Sequence, residues 1–414
     1  MSCSRLENLP AELKTEILQS MPDLMTLRSI VHASPIIHAQ YRYDRHKILS
    51  TCLEREFEGF YVDAYANLKS RVSELGILQD TKLRSDFVRS YKGWLRAADH
   101  YPDAKSLPPS RVRWMVAYHT SVARPFVSRY SSWALANLRN GTEPQNCTPR
   151  DGNESVLSRS EEIHILRALY RFETFHHIFG LHYGRRRGSF RDWEVRDMFF
   201  DLFDPWESEG IGCINTFVRQ QWEDIFDRVH TEFDADPMGT TVTSSSAHHR
   251  TVRSHTNPYR ADYLDVRMSA IENYDILLSK MDLAATLPVD IDAPILRCME
   301  GQAELHRRCD SSKFPRANDE AEQRQESMEF SGDMAPPKGP PLAWVLLWDG
   351  RYANIFGELL PESLRQMGYV MWDSTRLADT GSEKLVRELN EWEPSGREIQ
   401  RVLGCRSGSS VPIW

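Results

Sequence analysis

The chain has 414 residues, of which 41% are hydrophobic, 27% charged and 10% aromatic, and this composition predicts a globular protein with its own core. Its net charge of −8 excludes a general electrostatic attraction to nucleic acid or anionic lipid. The seven cysteines are scattered and none forms a C-x-x-C pair, so neither a zinc site nor a disulfide framework is indicated.

The first residues are polar, and the longest apolar run, LAWVLLW at 342–348, is far too short to span a bilayer. We therefore expect no signal peptide and no membrane association. A cytoplasmic or nuclear location, or both, fits this expectation.

The first 50 residues predict three short helices. Pro10 suits a helix start, and apolar residues follow it at helical spacing. Pro22 and Asp23 end that helix and open a second one, and Ser34 and Pro35 open a third. The apolar stripes of the first two helices consist of Leu13, Ile17, Leu18 and Met21, and of Leu24, Leu27, Ile30 and Val31.

The stretch LENLPAELKTEILQSM and its continuation PDLMTLRSIVHASP resemble the F-box. The likeness consists of a Leu-Pro start, a glutamate two residues on, an Ile-Leu pair and a Leu-rich second helix. The resemblance implies docking onto the Skp-family adaptor of a cullin–RING ubiquitin ligase, and later segments such as LRQMGYVMWDSTRL resemble F-box proteins of filamentous fungi. The partner-binding residues that the resemblance implies are Leu9, Pro10, Glu12, Ile17, Leu18, Leu24 and Leu27. Leu13 lies on the same apolar face and is predicted to contact the partner as well.

Three helices of this size bury too little apolar surface to be stable alone. They need either the rest of the chain or a partner. We favour a partner, because a Leu-Pro-x-Glu start adds detail that amphipathicity does not require. The alternative is that these helices pad the core of the body.

The body predicts further amphipathic helices. Ser158 to Glu161 reads S-x-x-E, a capping box that opens the helix before Gly180. Pro205 ends or kinks the helix that starts near Phe190. Strand-like alternation is scarce, so the fold class is all-α: an F-box-like segment followed by a larger, irregular helical body with disordered inserts.

Composition divides the chain into an F-box-like domain at 2–50, a helical body at 51–309 and 342–402, and a polar tail at 403–414. Loops are predicted near 140–157 and 234–257. The segment 310–341 is charged and then rich in Pro and Gly, which predicts a disordered linker and the first site of limited proteolysis.

No nucleotide-binding glycine loop, HExxH or GxSxG motif occurs, so we expect a protein that is not an enzyme and has no cofactor or metal. GRRRGS at 184–189 is interpreted as a solvated turn. The function predicted is that of a substrate receptor. The alternatives are a helical interaction or scaffold protein without a ubiquitin-ligase role, and an enzyme with its site among His176, Trp206, Glu207 and Trp372.

Overall fold

A computed structural model describes residues 6–71, 81–97, 100–141, 156–179, 190–234, 294–311 and 315–390. Helices supply nearly all the regular structure of these ranges, and their only β pairing is one isolated bridge between Ser327 and Arg351. The all-α prediction is confirmed. Most of the two predicted loops, GRRRGS and the tail at 403–414 lie outside the described residues.

The first eight helices in chain order are α1 Ala11–Gln19, α2 Leu24–Ala33, α3 Pro35–Tyr43, α4 Arg45–Glu56, α5 Tyr61–Ser70, α6 Thr81–Leu95, α7 Pro109–Tyr118 and α8 Arg124–Gly141. A π-helical turn, His119–Ala123, joins α7 to α8. The next helices are α9 Arg159–Phe179, α10 Asp192–Phe199, α11 Pro205–Asp234, α12 Pro294–Met299 and α13 Gly301–Ser311. The last are α14 Ala317–Gln323, α15 Leu342–Leu347, α16 Glu362–Gln366, α17 Ser374–Asp379 and α18 Ser382–Asn390.

The helix starts follow the sequence signals closely. The Asp23 carboxylate accepts the Thr26 amide at 2.6 Å and caps α2, and Ser34 caps α3 with Pro35 at its first position. At the start of α9, Ser158 and Glu161 exchange side chain–backbone hydrogen bonds of 3.1 and 3.0 Å, so the predicted capping box is confirmed. Pro205 starts α11, after a short 3-10 turn at Phe200–Leu202.

Helix α9 lies at the centre of the molecule and packs against α5 and α11. It is buried on almost every side. Its polar side chains have partners on neighbouring helices. Arg171 Nε donates to Asp63 of α5 at 2.9 Å, and Glu161 binds Arg376 of α17. A helix surrounded in this way fixes the positions of everything packed on it.

The segment at 310–341 corrects the sequence prediction of a disordered linker. Part of it packs on the body: α14 is a short helix with Asp319 and Ala321 buried, and Met328 is buried as well, whereas residues 331–335 are exposed. Its charges meet partners: Asp319 binds Arg307 at 2.5 Å, Glu322 binds Arg308 at 3.0 Å, and Arg316 binds Asp197 at 3.1 Å. Charged side chains whose number predicted a solvated segment therefore form ion pairs with other parts of the protein.

One apolar cluster runs from Leu18 in α1 to Val386 in α18. The three N-terminal helices are thus packed onto the same core as the body, through α4. Among the described residues, no helix has the length and apolar character needed to cross a membrane.

Candidate functional site

Exposed apolar side chains are concentrated in the first three helices. Seven large hydrophobic side chains of the described residues are exposed, and four of them belong to this short segment: Leu13, Met25, Ile36 and Tyr43. Single exposed hydrophobics are normal on a protein surface, whereas four within one short segment favour an interaction surface there. We call the α1–α3 surface that carries them the N-terminal face.

Helix α1 has two different apolar sides. Leu13 and Ile17 lie one turn apart on the outer side, and Leu13 is 44% exposed. Leu9 and Ile17 are half-buried and lie outside the core cluster. Thr15 and Leu18, at 4% and 0% exposure, point inward. Packing on the protein's own core therefore leaves the outer stripe of α1 uncovered.

The eight residues predicted to contact a partner are divided by the structure. Pro10, Glu12 and Leu13 are exposed, and Leu9 and Ile17 are half-buried. Leu18, Leu24 and Leu27 are at most 3% exposed and belong to the protein's own core, where a partner cannot reach them. The prediction is wrong for these three because helical spacing identifies an apolar face without saying what covers it.

Hydrogen bonds hold the inner side of α1 on the helices behind it. Thr15 Oγ1 donates to Asp44 at 2.6 Å, and Gln40 Nε2 donates to both of these side chains, at 3.0 and 2.8 Å. Arg55 Nη2 donates to the Gln19 carbonyl at 3.0 Å, at the end of α1. These contacts orient α1 so that its outer stripe keeps facing away from the body.

A buried polar network joins α2 to the body. The Glu56 carboxylate accepts the Leu24 amide at 2.7 Å, at the start of α2, and His119 Nε2 at 3.1 Å. Because the carboxylate can only accept, Nε2 carries the proton, and Nδ1 accepts the Tyr170 hydroxyl at 3.1 Å. The sequence did not predict this network, because the spacing of Glu56 and His119 along the chain does not indicate that their side chains are in contact.

The network has a defined charge state. Burial lowers the pKa of His119 below its ordinary value, so the imidazole is neutral at pH 7. Burial alone would raise the pKa of Glu56, but the hydrogen bonds from His119 and Leu24 lower it, so this carboxylate is ionised. The helix dipole of α2 also stabilises the negative charge of Glu56, which lies at the start of that helix.

The four residues of the enzyme alternative do not meet at one site. Trp206 and Glu207 line a cleft beside α9, but His176 packs between Phe172 and Phe175, and Trp372 is buried with Nε1 donating to the Met367 carbonyl at 2.7 Å. Burial alone would raise the pKa of Glu207, but Arg171 and Arg167 hold it below its ordinary value. A carboxylate bound in this way is a poor general base.

The described residues contain no group of three or more His, Cys, Asp or Glu side chains placed to hold a metal ion. Comparisons of the chain with known protein families, with curated proteins and with solved structures gave no match. The N-terminal face is therefore identified from its own sequence and geometry.

Proposed function

We propose that this chain is the substrate-receptor subunit of a cullin–RING ubiquitin ligase, and that it docks on the Skp-family adaptor through the N-terminal face. One observation carries the proposal. The segment whose sequence resembles the F-box also holds most of the exposed large hydrophobic side chains of the described residues, including Leu13, Met25 and Ile36. An uncovered apolar surface on a folded protein is stabilised by a partner.

In this proposal the docking contacts are made by the outer residues Leu9, Pro10, Leu13 and Ile17, with Met25 and Ile36 on the neighbouring helices. Leu18, Leu24 and Leu27 support the face from within, because they pack α1 and α2 on the shared core. The chain itself performs no transfer chemistry. It holds the body at a fixed orientation to the adaptor, and the other subunits transfer ubiquitin.

Rigidity of the connection supports this role. A receptor that positions a substrate needs a stiff link between its docking segment and its substrate-binding body. The Glu56–His119–Tyr170 network and the continuous core provide such a link, since both join α1–α4 to α9 and its neighbours.

The alternative is a helical scaffold protein that uses the same face for another protein partner. Co-expression with a Skp-family adaptor separates the two. A stable one-to-one complex in size-exclusion chromatography, which then also recruits the cullin, supports the receptor proposal. A folded monomer that ignores the adaptor, but is recovered with other proteins through the same face, supports the scaffold.

A further inference from the structure

A second surface of the body has the properties of a binding cleft. One of its cavities has a volume of about 520 Å³, within the range of ligand sites, and lies between the start of α5, the end of α6, α9 and the turn before α11. A smaller cavity continues from it past Trp206 and Pro337. The two share Arg167, Arg171, Asp204 and Glu207, so together they form one elongated groove.

Four carboxylates line the larger cavity, and three of them are already paired. Asp63 binds Arg171 at 2.9 Å, Glu207 binds Arg171 at 3.1 Å, and Asp201 binds Arg316. Arg167 lies 3.6 Å from Glu207 and donates to the Gly59 carbonyl at 2.7 Å. The buried guanidiniums of the groove are therefore occupied by groups of the protein itself.

Asp204 is the exception, because its carboxylate has no hydrogen-bond or ion-pair partner among the described residues. Its amide donates to Glu207 at 3.4 Å, which places the two acidic side chains next to each other at the centre of the groove. The protein walls around Asp204 and the neighbouring Glu207 raise the pKa of its carboxyl above the ordinary value. Asp204 is exposed, so its carboxylate is accessible to a cationic group that enters the groove, and the nearby Arg171 guanidinium opposes the rise in its pKa.

The walls beside Asp204 suit the stem of a long cationic side chain. Tyr61 and Tyr101 are half-buried and line the larger cavity with ring centroids 5.9 Å apart. Aromatic rings of this kind pack against aliphatic stems and attract cations through their faces. Arg96 and Lys338, which are exposed, stand at opposite parts of the groove.

We propose that this groove binds an extended peptide segment of a protein partner and receives one of its arginine or lysine side chains against Asp204. The elongated shape favours a chain segment over a compact small molecule. The inference rests on the proposed function only where the occupant is called a substrate for ubiquitination, because binding to the groove can be measured without the adaptor.

The test is calorimetry of the full chain with the peptide acetyl-Ala-Arg-Ala-amide and with its citrulline counterpart, which is nearly isosteric but neutral. The arginine peptide should bind, and the citrulline peptide should bind roughly tenfold more weakly or worse, as expected for the loss of one charge-assisted hydrogen bond. Asp204→Asn should weaken the arginine peptide to a similar extent. Asp379→Asn, the same change on exposed α17, should leave binding unchanged.

Several results would overturn the proposal. Binding of neither peptide, or equal binding of both, would show that the groove does not recognise a cationic side chain, and this comparison needs no protein variant to fold. Free agmatine binding as tightly as the peptide would assign the groove to small cations. Loss of binding in Arg96→Ala with full binding in Asp204→Asn would assign it to anions. If the peptide binds but the adaptor does not, the groove remains a binding site for a cationic peptide, and its occupant is not a substrate for ubiquitination.

Discussion

At the scale of single residues, the N-terminal segment separates two kinds of leucine that look alike in sequence. Leu13 and Leu18 belong to one predicted apolar face, yet Leu13 is 44% exposed and Leu18 is completely buried. The difference arises because α1 packs on α3 and α4 with only one of its sides. Residue type and spacing therefore predict an apolar face but not the surface that covers it.

This difference gives a stability prediction. Leu18→Ala removes a buried side chain and should lower the free energy of unfolding by about 2–5 kcal/mol. Leu13→Ala should change it by less than about 0.5 kcal/mol, as is usual for surface substitutions. Urea unfolding followed by circular dichroism measures both. A large loss for Leu13→Ala would mean that this side chain is part of the protein's own core.

The Glu56–His119 pair predicts acid sensitivity. The folded pKa of His119 is lowered, so below about pH 6.5 the unfolded chain takes up a proton that the native state refuses, and stability falls. The folded pKa of Glu56 is also lowered, so its contribution is lost as the pH falls below about 4.5. Both effects lower the stability of the folded protein as the pH falls.

We therefore expect the urea midpoint to fall between pH 7.5 and pH 5, and to fall less in His119→Gln, which cannot be protonated. His100→Gln, which removes an exposed imidazole, serves as the matched control and should keep the full decrease. An identical decrease in His119→Gln and the parent protein would assign the acid sensitivity to other groups.

At the scale of elements, local signals predict helix starts well. The capping box at Ser158 and the serine–proline start of α3 depend on residues within four positions of each other, and the structure forms both. The segment at 315–341 depends on distant partners instead. Its acidic residues meet Arg307 and Arg308 on α13, and no local pattern reveals that pairing.

The centre of that arrangement is Glu304. It is fully buried, binds Arg196 at 2.5 Å and Arg307 at 2.9 Å, and also contacts Arg308. Glu304→Gln would leave three guanidiniums without their shared carboxylate, which should cost roughly 3–5 kcal/mol of stability. Thermal unfolding measures this loss, and Glu320→Gln, which affects an exposed pair with Arg324, should leave the melting temperature unchanged.

Limited proteolysis examines the same elements. Because α14 packs on the body with Asp319 and Ala321 buried, we expect no early cleavage within 317–323 in the parent protein, contrary to what the composition of the segment predicts. In Glu304→Gln, cleavage within 317–323 should become faster. Rapid cutting of this segment in the parent protein would restore the linker interpretation.

At the scale of the whole molecule, the sequence predicts the all-α class correctly, because periodicity and caps recur along the chain. Contacts between distant parts of the chain complete this fold: Glu209 of α11, for example, accepts the Gly357 amide at 2.9 Å. The cleft beside α9 could not be predicted, since it assembles Asp63, Arg171 and Asp204 from three separate parts of the chain. Tertiary packing alone brings such residues together.

The continuous core decides what deletion of the N-terminal helices should do. Leu18, Leu24 and Leu27 pack with Cys52 and Leu53 of α4, so removing residues 1–44 would expose the apolar side of α4. Deletion would therefore disturb the body as well as remove the N-terminal face. Point substitutions on the outer side of α1 test docking without this complication.

The most direct test is calorimetry of the Skp-family adaptor with two variants, Leu13→Asp and Leu83→Asp. The two leucines are exposed to the same extent, 44% and 45%, but Leu13 lies on the N-terminal face and Leu83 on α6 of the body. We predict that both variants keep the parent melting temperature. Leu13→Asp should bind the adaptor about a hundredfold more weakly or worse, because an unpaired carboxylate in an apolar interface costs several kcal/mol, and Leu83→Asp should bind like the parent. Parent-like binding by a folded Leu13→Asp variant, or equal losses in both variants, would contradict docking through this face.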